Sequence, residues 1–487
     1  MPSNDEICRM EATELAGRVR AKELSPVEVV EAVLERMEGL EPKLHAFCTP
    51  TPELAREEAQ RVEREISEGK DPGPLAGVPV GIKDLHAVKG VRMALGSHAY
   101  KDFVPDEDDV AVERLKGAGA IVLGKTNVPE FGYSGVGHNP VFETTTNPWD
   151  TTKTPGGSSA GSGAAVASGM GPIALGSDGG GSVRIPASFS GLFGMKASMG
   201  RVPLYPSCRD ERYPGASGWE SLEHIGPMSR TVRDGALMLS VMAGPDERDR
   251  LSIPREPGFD PVGALKERLP RGLRVAYSPD WGYAAVDPEV RRVVGEAARV
   301  FEEDLGCAVE EAHPGFEDPF GAFWGLVLME TDLAGMRKMA EELGEKMSPH
   351  LKAVLEKDWK AEDFTDAVMT RKAVYNKMWR FMRGYDLLLT PTLAVAPFET
   401  GIQGPEVIDG REVPDTYWLS FTFPINMTGQ PAATVPAGFT QAGLPVGLQI
   451  VGRHLDDGLV LRASAAFEAA RPWKDRWPSK LLEEAGL

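Results

Sequence analysis

The segment Ile173-Ala174-Leu175-Gly176-Ser177-Asp178-Gly179-Gly180-Gly181-Ser182 runs from apolar residues into three glycines and then a serine. Glycines have no Cβ to block left-handed or strained torsions, so several backbone N–H groups can point at one place. Donors converging ahead of a serine suit an oxyanion hole beside a nucleophile, which nominates Gly179, Gly180, Gly181 and Ser182. A phosphate cradle is the competing reading. It fails on context: no GxxxxGK[ST] pattern follows, and no GxGxxG opens a helix with a later acidic residue.

A second glycine-serine loop, Pro155-Gly156-Gly157-Ser158-Ser159-Ala160-Gly161-Ser162-Gly163, precedes the small-residue run from Ala164 to Gly169. Gly157 to Gly161 also fits GxSxG, but a nucleophile elbow needs a hydrophobic strand directly before it. The preceding Asn147 to Thr154 reads as no such strand. Lys83 ends the apolar run Val78-Pro79-Val80-Gly81-Ile82, with Asp84 after it. On a surface such a lysine would snorkel into water. Buried among strands, it would lose its charge and serve as a neutral base, which a serine hydrolase without histidine requires. The eight histidines, His45, His86, His98, His138, His224, His313, His350 and His454, are scattered singly, with no HExxH spacing for a metal. A Ser-His-Asp triad stays open, because its members assemble from distant positions.

The elements that must position these residues read as alternating strands and helices. Ser25-Pro26-Val27-Glu28 is a capping box with proline at the first helical position. Val30, Val33, Leu34, Met37 and Leu40 then recur at helical spacing, and Pro42 is expected to end the helix. A charged helix follows near Pro52 to Ile66. Strands are expected at Val78 to Ile82, Ala120 to Gly124, Leu273 to Tyr277, Leu387 to Leu389, Ala432 to Pro436 and Val446 to Val451, with helices at Val110 to Lys116, Asp287 to Glu303 and through Phe320 to Arg383. That alternation predicts an α/β fold. Ala243 to Pro270 reads as a surface crossing. Phe131 and Trp149 read as core packing.

The whole chain sets bounds on partners. Its 487 residues carry a net charge of −19 and no basic run, so free nucleic acid is not an expected partner. Four cysteines without CxxC spacing, and a polar N-terminus without an apolar signal core, predict a cytoplasmic protein without disulfides; no apolar run is long enough for a membrane span.

Together the segments Gly81 to Asp84, Gly156 to Ser162 and Gly176 to Ala187 resemble the amidase signature family. The likeness extends through Gly124-Lys125-Thr126-Asn127 with Glu130-Phe131, Ile225 to Arg230 and Gly443 to Gly452, in order from Glu11 to Arg471. It implies the amidase signature fold: one domain over 1–487 with a large mixed twisted β-sheet covered by helices on both faces. Within it, 1–70 would be an N-terminal helical region, 71–245 the signature core, 246–390 a helical excursion carrying pocket elements, and 391–487 the rest of the core. It implies Ser182 as nucleophile, Ser158 as a bridging serine in a cis peptide, and Lys83 as general base. Gly179, Gly180, Gly181 and Ser182 would form the oxyanion hole, Ser159, Asp178 and Arg184 would support the loop, and Tyr133 and Ser134 would line the substrate channel. No cofactor or metal is implied.

The activity implied is hydrolysis of an amide C–N bond through a serine ester, with esters and carbamates as further candidates, in a chain that resemblance alone would make a homodimer. Tyr205 to Ser221 and Phe320 to Asp366 are the expected specificity elements. The family's other branch is the glutaminase subunit of a tRNA-dependent amidotransferase; Phe423 to Pro431 is more similar to the stand-alone amidases. Two departures are visible: Gly179 stands where threonine is usual and Ala160 where glycine is usual, which predicts a roomier acyl side.

Overall fold

A computed structural model describes residues 2–206 and 219–487. In chain order its strands are β1 (Phe47–Pro50), β2 (Pro79–Lys83), β3 (Ile121–Thr126), β4 (Ile173–Ser177), β5 (Phe193–Lys196), β6 (Ile225–Ser229), β7 (Arg274–Tyr277), β8 (Ala308–Glu311), β9 (Leu387–Pro391), β10 (Val407–Ile408), β11 (Arg411–Glu412), β12 (Ala432–Phe439) and β13 (Pro445–Gly452). All but the β10–β11 ribbon form one eleven-stranded sheet, ordered β1-β3-β2-β4-β6-β5-β12-β13-β9-β7-β8. Parallel pairs β3–β2–β4 and β9–β7–β8 flank an antiparallel centre. The sheet is therefore mixed, with helices packed against it.

Residue type explains which strands are central. Every residue of β2, β3, β4 and β13 is buried, as expected of strands covered on both faces, which read as continuous apolar runs rather than alternating ones. The helices are amphipathic covers. Pro288–Glu303 buries Val290, Val293, Val294, Ala297 and Phe301 on one face, and the Asp287 side chain caps it by accepting from the N–H groups of Glu289 and Val290. Such a cap is worth about 1 kcal/mol.

The Ser25–Glu28 capping box is present, but the helix it starts runs Pro26–Leu44 and contains Pro42 in its last turn. Pro42 and Glu38, whose carbonyl loses its partner, are both exposed, so water can serve that carbonyl. One more turn buries Leu44, and the helix stops at His45 in the left-handed region. The expected run from Phe320 to Arg383 is four helices, Phe320–Met329, Leu333–Leu343, Pro349–Glu356 and Ala361–Met382. Asn147 to Thr154 forms turns and isolated bridges, so the elbow context is absent. Phe131 and Trp149 are packed, Phe131 against Tyr100 and Trp149 against Phe439.

Candidate active site

Parallel strands place the first two parts. β2 and β4 are neighbours in register Val80↔Ile173, Gly81↔Ala174 and Ile82↔Leu175, so Lys83 and Ser177 emerge together at the C-terminal edge of the sheet. Lys83 is fully buried. Its Nζ lies 2.8 Å from Ser158 Oγ, 3.0 Å from Ser177 Oγ and 3.1 Å from the Ser177 carbonyl oxygen. Burial brings its pKa down to about 8, and the negative charges of Glu223 and Asp178 offset only part of that. A neutral amine has two N–H donors and one lone pair. In that neutral form, donation to both Ser177 oxygens would leave the lone pair for the Ser158 hydroxyl.

Ser158 sits in the glycine-serine loop behind a cis Gly157–Ser158 peptide. Ser159 begins the turn into the Ala160–Ser168 helix; its N–H donates to the Ser182 carbonyl at 3.3 Å and its hydroxyl to the Ser177 carbonyl at 3.3 Å. Those two bonds tie the loop bearing Ser158 to the loop bearing Ser182. Ala160 is buried and the helix forms normally with it in place.

Asp178 and Arg184 organise the glycine loop. Arg184 donates from Nε and Nη2 to the two Asp178 carboxylate oxygens at 2.9 and 2.8 Å, and from Nη1 to Gln449 Oε1 and the Thr422 carbonyl at 2.6 and 3.1 Å. Asn426 Nδ2 adds a bond to Asp178 Oδ1 at 2.8 Å. Burial opposes the Asp178 charge, but Arg184 and Asn426 more than compensate, holding the carboxyl well below the usual range. The pair is sealed from water on both sides. Breaking such a pair from one side costs about 3–5 kcal/mol, because the other charge is left buried.

The same carboxylate corrects one expectation. Gly181 N–H donates to Asp178 Oδ1 at 2.8 Å, and the carbonyl of the same peptide, on Gly180, accepts from Thr422 Oγ1 at 2.7 Å. The Gly181 amide is thus consumed inside the loop. Gly179, Gly180 and Ser182 keep N–H groups that bond no other described group, so they remain the candidate oxyanion donors. The clamped peptide between them is what holds them still. Gly181 has φ 129°, and a Cβ there would lie 2.4 Å from Thr422 Oγ1, so both backbone and space require glycine.

Nor does the glycine at 179 make the pocket roomier. A Cβ on Gly179 would lie 2.5 Å from Glu223 Oε2 and 2.5 Å from Trp219 Cε3. The room a larger side chain would need is already filled.

Ser182, only 8% exposed, opens onto a cavity of about 410 Å³ that Gly180, Tyr133 and Ser134 also line. Its walls include an aromatic cluster in which Trp219, Phe320, Phe323, Trp324 and Phe423 join Tyr133, and Asp415 also lines it. Their rings interlock, Tyr133 against Trp219 at 4.8 Å, Trp219 against Phe323 at 6.0 Å and Phe323 against Phe423 at 5.1 Å. Tyr133 spends its hydroxyl on Thr331 at 2.7 Å, and Ser134 donates to Gln403 at 2.7 Å. No lysine or arginine is among the described residues lining it, and burial brings the His350 pKa down to about 4, leaving that ring neutral.

Both expected specificity elements reach the cavity: Trp219 falls in the Tyr205 to Ser221 stretch, and Phe320, Phe323 and Trp324 in the Phe320 to Asp366 stretch. Residues 207–218, Cys208 included, lie outside the described residues; Trp219, just after them, lines the cavity. Sequence reasoning did not find Glu223, Ser177 as a lysine partner, or Thr422. Only Ser177 had a signal, its place between Gly176 and Asp178. Among the described residues no group of three or more His, Cys, Asp or Glu could hold a metal, and no helix is long and apolar enough to cross a membrane.

Residues 28–461 match the family described as Amidase. The chain belongs to the amidase signature family. It is 40% identical to an acylamidase of Rhodococcus erythropolis, covering 97% of this chain and 98% of that protein. It is 35% identical to a glutamyl-tRNA(Gln) amidotransferase subunit of Carboxydothermus hydrogenoformans, covering 95% and 97%. Among solved structures it is similar to a bacterial aryl acylamidase of the amidase signature family, with TM-score 0.88, 33% identity and 98% coverage of each chain. It is also similar to a 6-aminohexanoate cyclic dimer hydrolase, with TM-score 0.84, 29% identity and coverage of 97% and 99%. This amidase-family chain is an enzyme that hydrolyses amides.

Proposed function

We propose that Ser182, Ser158 and Lys83 form the catalytic triad of an amidase for bulky apolar amides, aryl amides foremost, working through a serine ester. The observation that carries this is the buried Lys83 amine, 2.8 Å from Ser158 Oγ, on a loop whose Ser159 N–H bonds the carbonyl of the cavity-lining Ser182 at 3.3 Å. Ser182 passes its proton to Ser158 as Ser158 passes its own to Lys83, and Ser182 Oγ bonds to the substrate carbonyl carbon. The N–H groups of Gly179, Gly180 and Ser182 hold the resulting oxyanion. The C–N bond then breaks while the nitrogen takes the proton back from the Lys83 ammonium through Ser158, and the amine leaves. Water adds to the ester by the same proton route, the ester C–O bond breaks, and the acid departs. Esters, with better leaving groups, enter the same route.

The cavity supports apolar substrates over glutamine. Glutamine presents a carboxylate and an ammonium, and the carboxylate finds no cation among the described lining residues. An arylamide finds ring faces instead. The acylamidase and aryl acylamidase relatives point the same way. A cytoplasmic setting fits the buried, unpaired thiols of Cys8, Cys48 and Cys307.

The test compares an acyl anilide with glutamine on the purified chain, alongside a fluorophosphonate probe. Anilide turnover and labelling are expected, with labelling abolished in Ser182→Ala. Because the unprotonated amine is the working form, kcat/KM should climb as pH rises through about 8. Strong glutamine turnover with inert anilides would overturn the substrate class; unchanged labelling of Ser182→Ala would overturn the nucleophile.

A further inference from the structure

The cavity that opens from Ser182 carries one carboxylate, Asp415, and no lysine or arginine among its described lining residues. Asp415 is exposed and Ser182 is buried, so the carboxylate stands at the mouth and the serine at the inner end. Among the described residues no hydrogen bond or ion pair engages the Asp415 side chain. Its backbone is fixed all the same. Tyr417 N–H donates to the Pro414 carbonyl at 2.9 Å, and Trp418 Nε1 donates to the Gln403 carbonyl at 2.9 Å. A Cβ on Gly404 would run into the Asp415 carbonyl oxygen, so the two ends of the segment that forms the β10–β11 ribbon are pressed together. That segment, 404–415, carries Glu406, Asp409, Glu412 and Asp415 against a single cation, Arg411. Arg411 is turned to the Tyr283 carbonyl, at 3.3 Å. The mouth therefore has a negative edge whose one cavity-lining charge is unpaired.

We propose that Asp415 is a specificity-determining residue that selects amides whose outer end carries an organic cation, an ammonium or quaternary ammonium group. The inference deepens the aryl-amide reading and rests on it: the amide reaches Ser182, the apolar body fills the aromatic wall, and the charged end meets Asp415 at the mouth. A cation leaving water needs its lost hydration replaced. Ring faces replace part of it, because the π-cloud is negative, and indole does so best. Two indoles line this cavity, Trp219 and Trp324, with centroids 6.3 Å apart and planes at 63°. Tyr133 stands 4.8 Å from the first and 6.3 Å from the second, so the three rings make one continuous aromatic surface. The unpaired carboxylate adds a full opposite charge. An anionic substrate meets the reverse on every count: negative ring faces, a like charge at the mouth and no cation among the described lining residues to receive it. A neutral substrate of the same shape keeps the apolar contacts and gains nothing from Asp415.

The experiment measures kcat/KM for three acetanilides in the full-length wild type, Asp415→Asn and Asp415→Lys. Their para substituents are (trimethylammonio)methyl, neopentyl and carboxymethyl. The first two share one shape and differ in charge, and the methylene insulates the leaving nitrogen from that charge. In the wild type the cationic anilide should exceed the neopentyl one by about fivefold, and the anionic one should be slowest. Asp415→Asn should cut the cationic-to-neopentyl ratio by about threefold, and Asp415→Lys should cut it further by placing a like charge at the mouth. A wild-type ratio at or below one, or an unchanged ratio in Asp415→Asn, overturns the proposal. Should no anilide turn over, the substrate reading itself has failed, and calorimetry of benzyltrimethylammonium on Ser182→Ala then decides for Asp415. An affinity about threefold weaker once Asp415→Asn is added supports the cation site; equal affinity, or no binding, overturns it. The two failures are thereby distinguishable.

Discussion

β2 and β3 run side by side in parallel and each carries a fully buried lysine near its C-terminal end, Lys83 and Lys125. Their surroundings differ in one respect. Lys125 Nζ meets a carboxylate, Asp84 Oδ1, at 3.1 Å, and Asp84 is itself held by the N–H groups of Ala94 and Leu95 at 3.0 Å each. Lys83 meets only hydroxyls and a carbonyl at hydrogen-bonding distance. Lys83 and Asp84 are adjacent in sequence, but successive residues leave a strand on opposite sides, so the aspartate serves the neighbouring strand's lysine. Depth alone does not separate the two lysines; a directly bonded carboxylate does, and on the proposed reading its absence suits Lys83 to act as the base.

The comparison can be broken most decisively at Lys83. Lys83→Met should lower kcat/KM for an anilide by about 10³-fold, while the unfolding midpoint in urea stays level or rises because a costly buried amine has been replaced by an apolar chain. Lys125→Met should do the reverse. It strands Asp84 without its cation, so urea unfolding should show a loss of about 3–5 kcal/mol, with the acid limb of the pH profile unmoved in the protein that remains folded. If Lys125→Met shifted that limb, the two lysines would not be separate devices. Phe323→Ala gives the smallest effect and tests whether the pocket is independent of both. KM for the anilide should rise about tenfold, with the pH profile unchanged.

The chemistry was legible where it is contiguous. Gly176 to Ala187 carries the proposed nucleophile, the glycines, Asp178 and Arg184 in one stretch, so residue types and order announced the loop. What that stretch could not show is competition in space. The Gly181 amide looks like any other donor until the Asp178 carboxylate is seen to occupy it. Glu223 was illegible for a related reason: its approach to Gly179 depends on the turn from Trp219, which leaves no periodic mark. The Phe320–Met329 helix is apolar nearly throughout, so its helical character could be read but not which rings face the cavity. In the fold, apolar runs located six of the thirteen described strands, five of them to within about two residues, with β12 continuing to Phe439; the short strands β1, β5, β6 and β8 of the main sheet were not read. Pro42 misled because its cost depends on whether the orphaned carbonyl faces water.

The order of strands has a consequence for how the protein comes into being. β12 and β13, from the last sixty residues of the chain, lie between β5 and β9 near the middle of the sheet, and Arg184 is anchored partly on Gln449. As the ribosome releases the polypeptide, the strand carrying the lysine and both serine loops are out long before their central support. The two halves of the sheet cannot join until those final strands arrive, and contacts so distant along the chain form slowly. The sheet, and with it the Gln449 anchor of Arg184, is therefore completed only by strands that are made late.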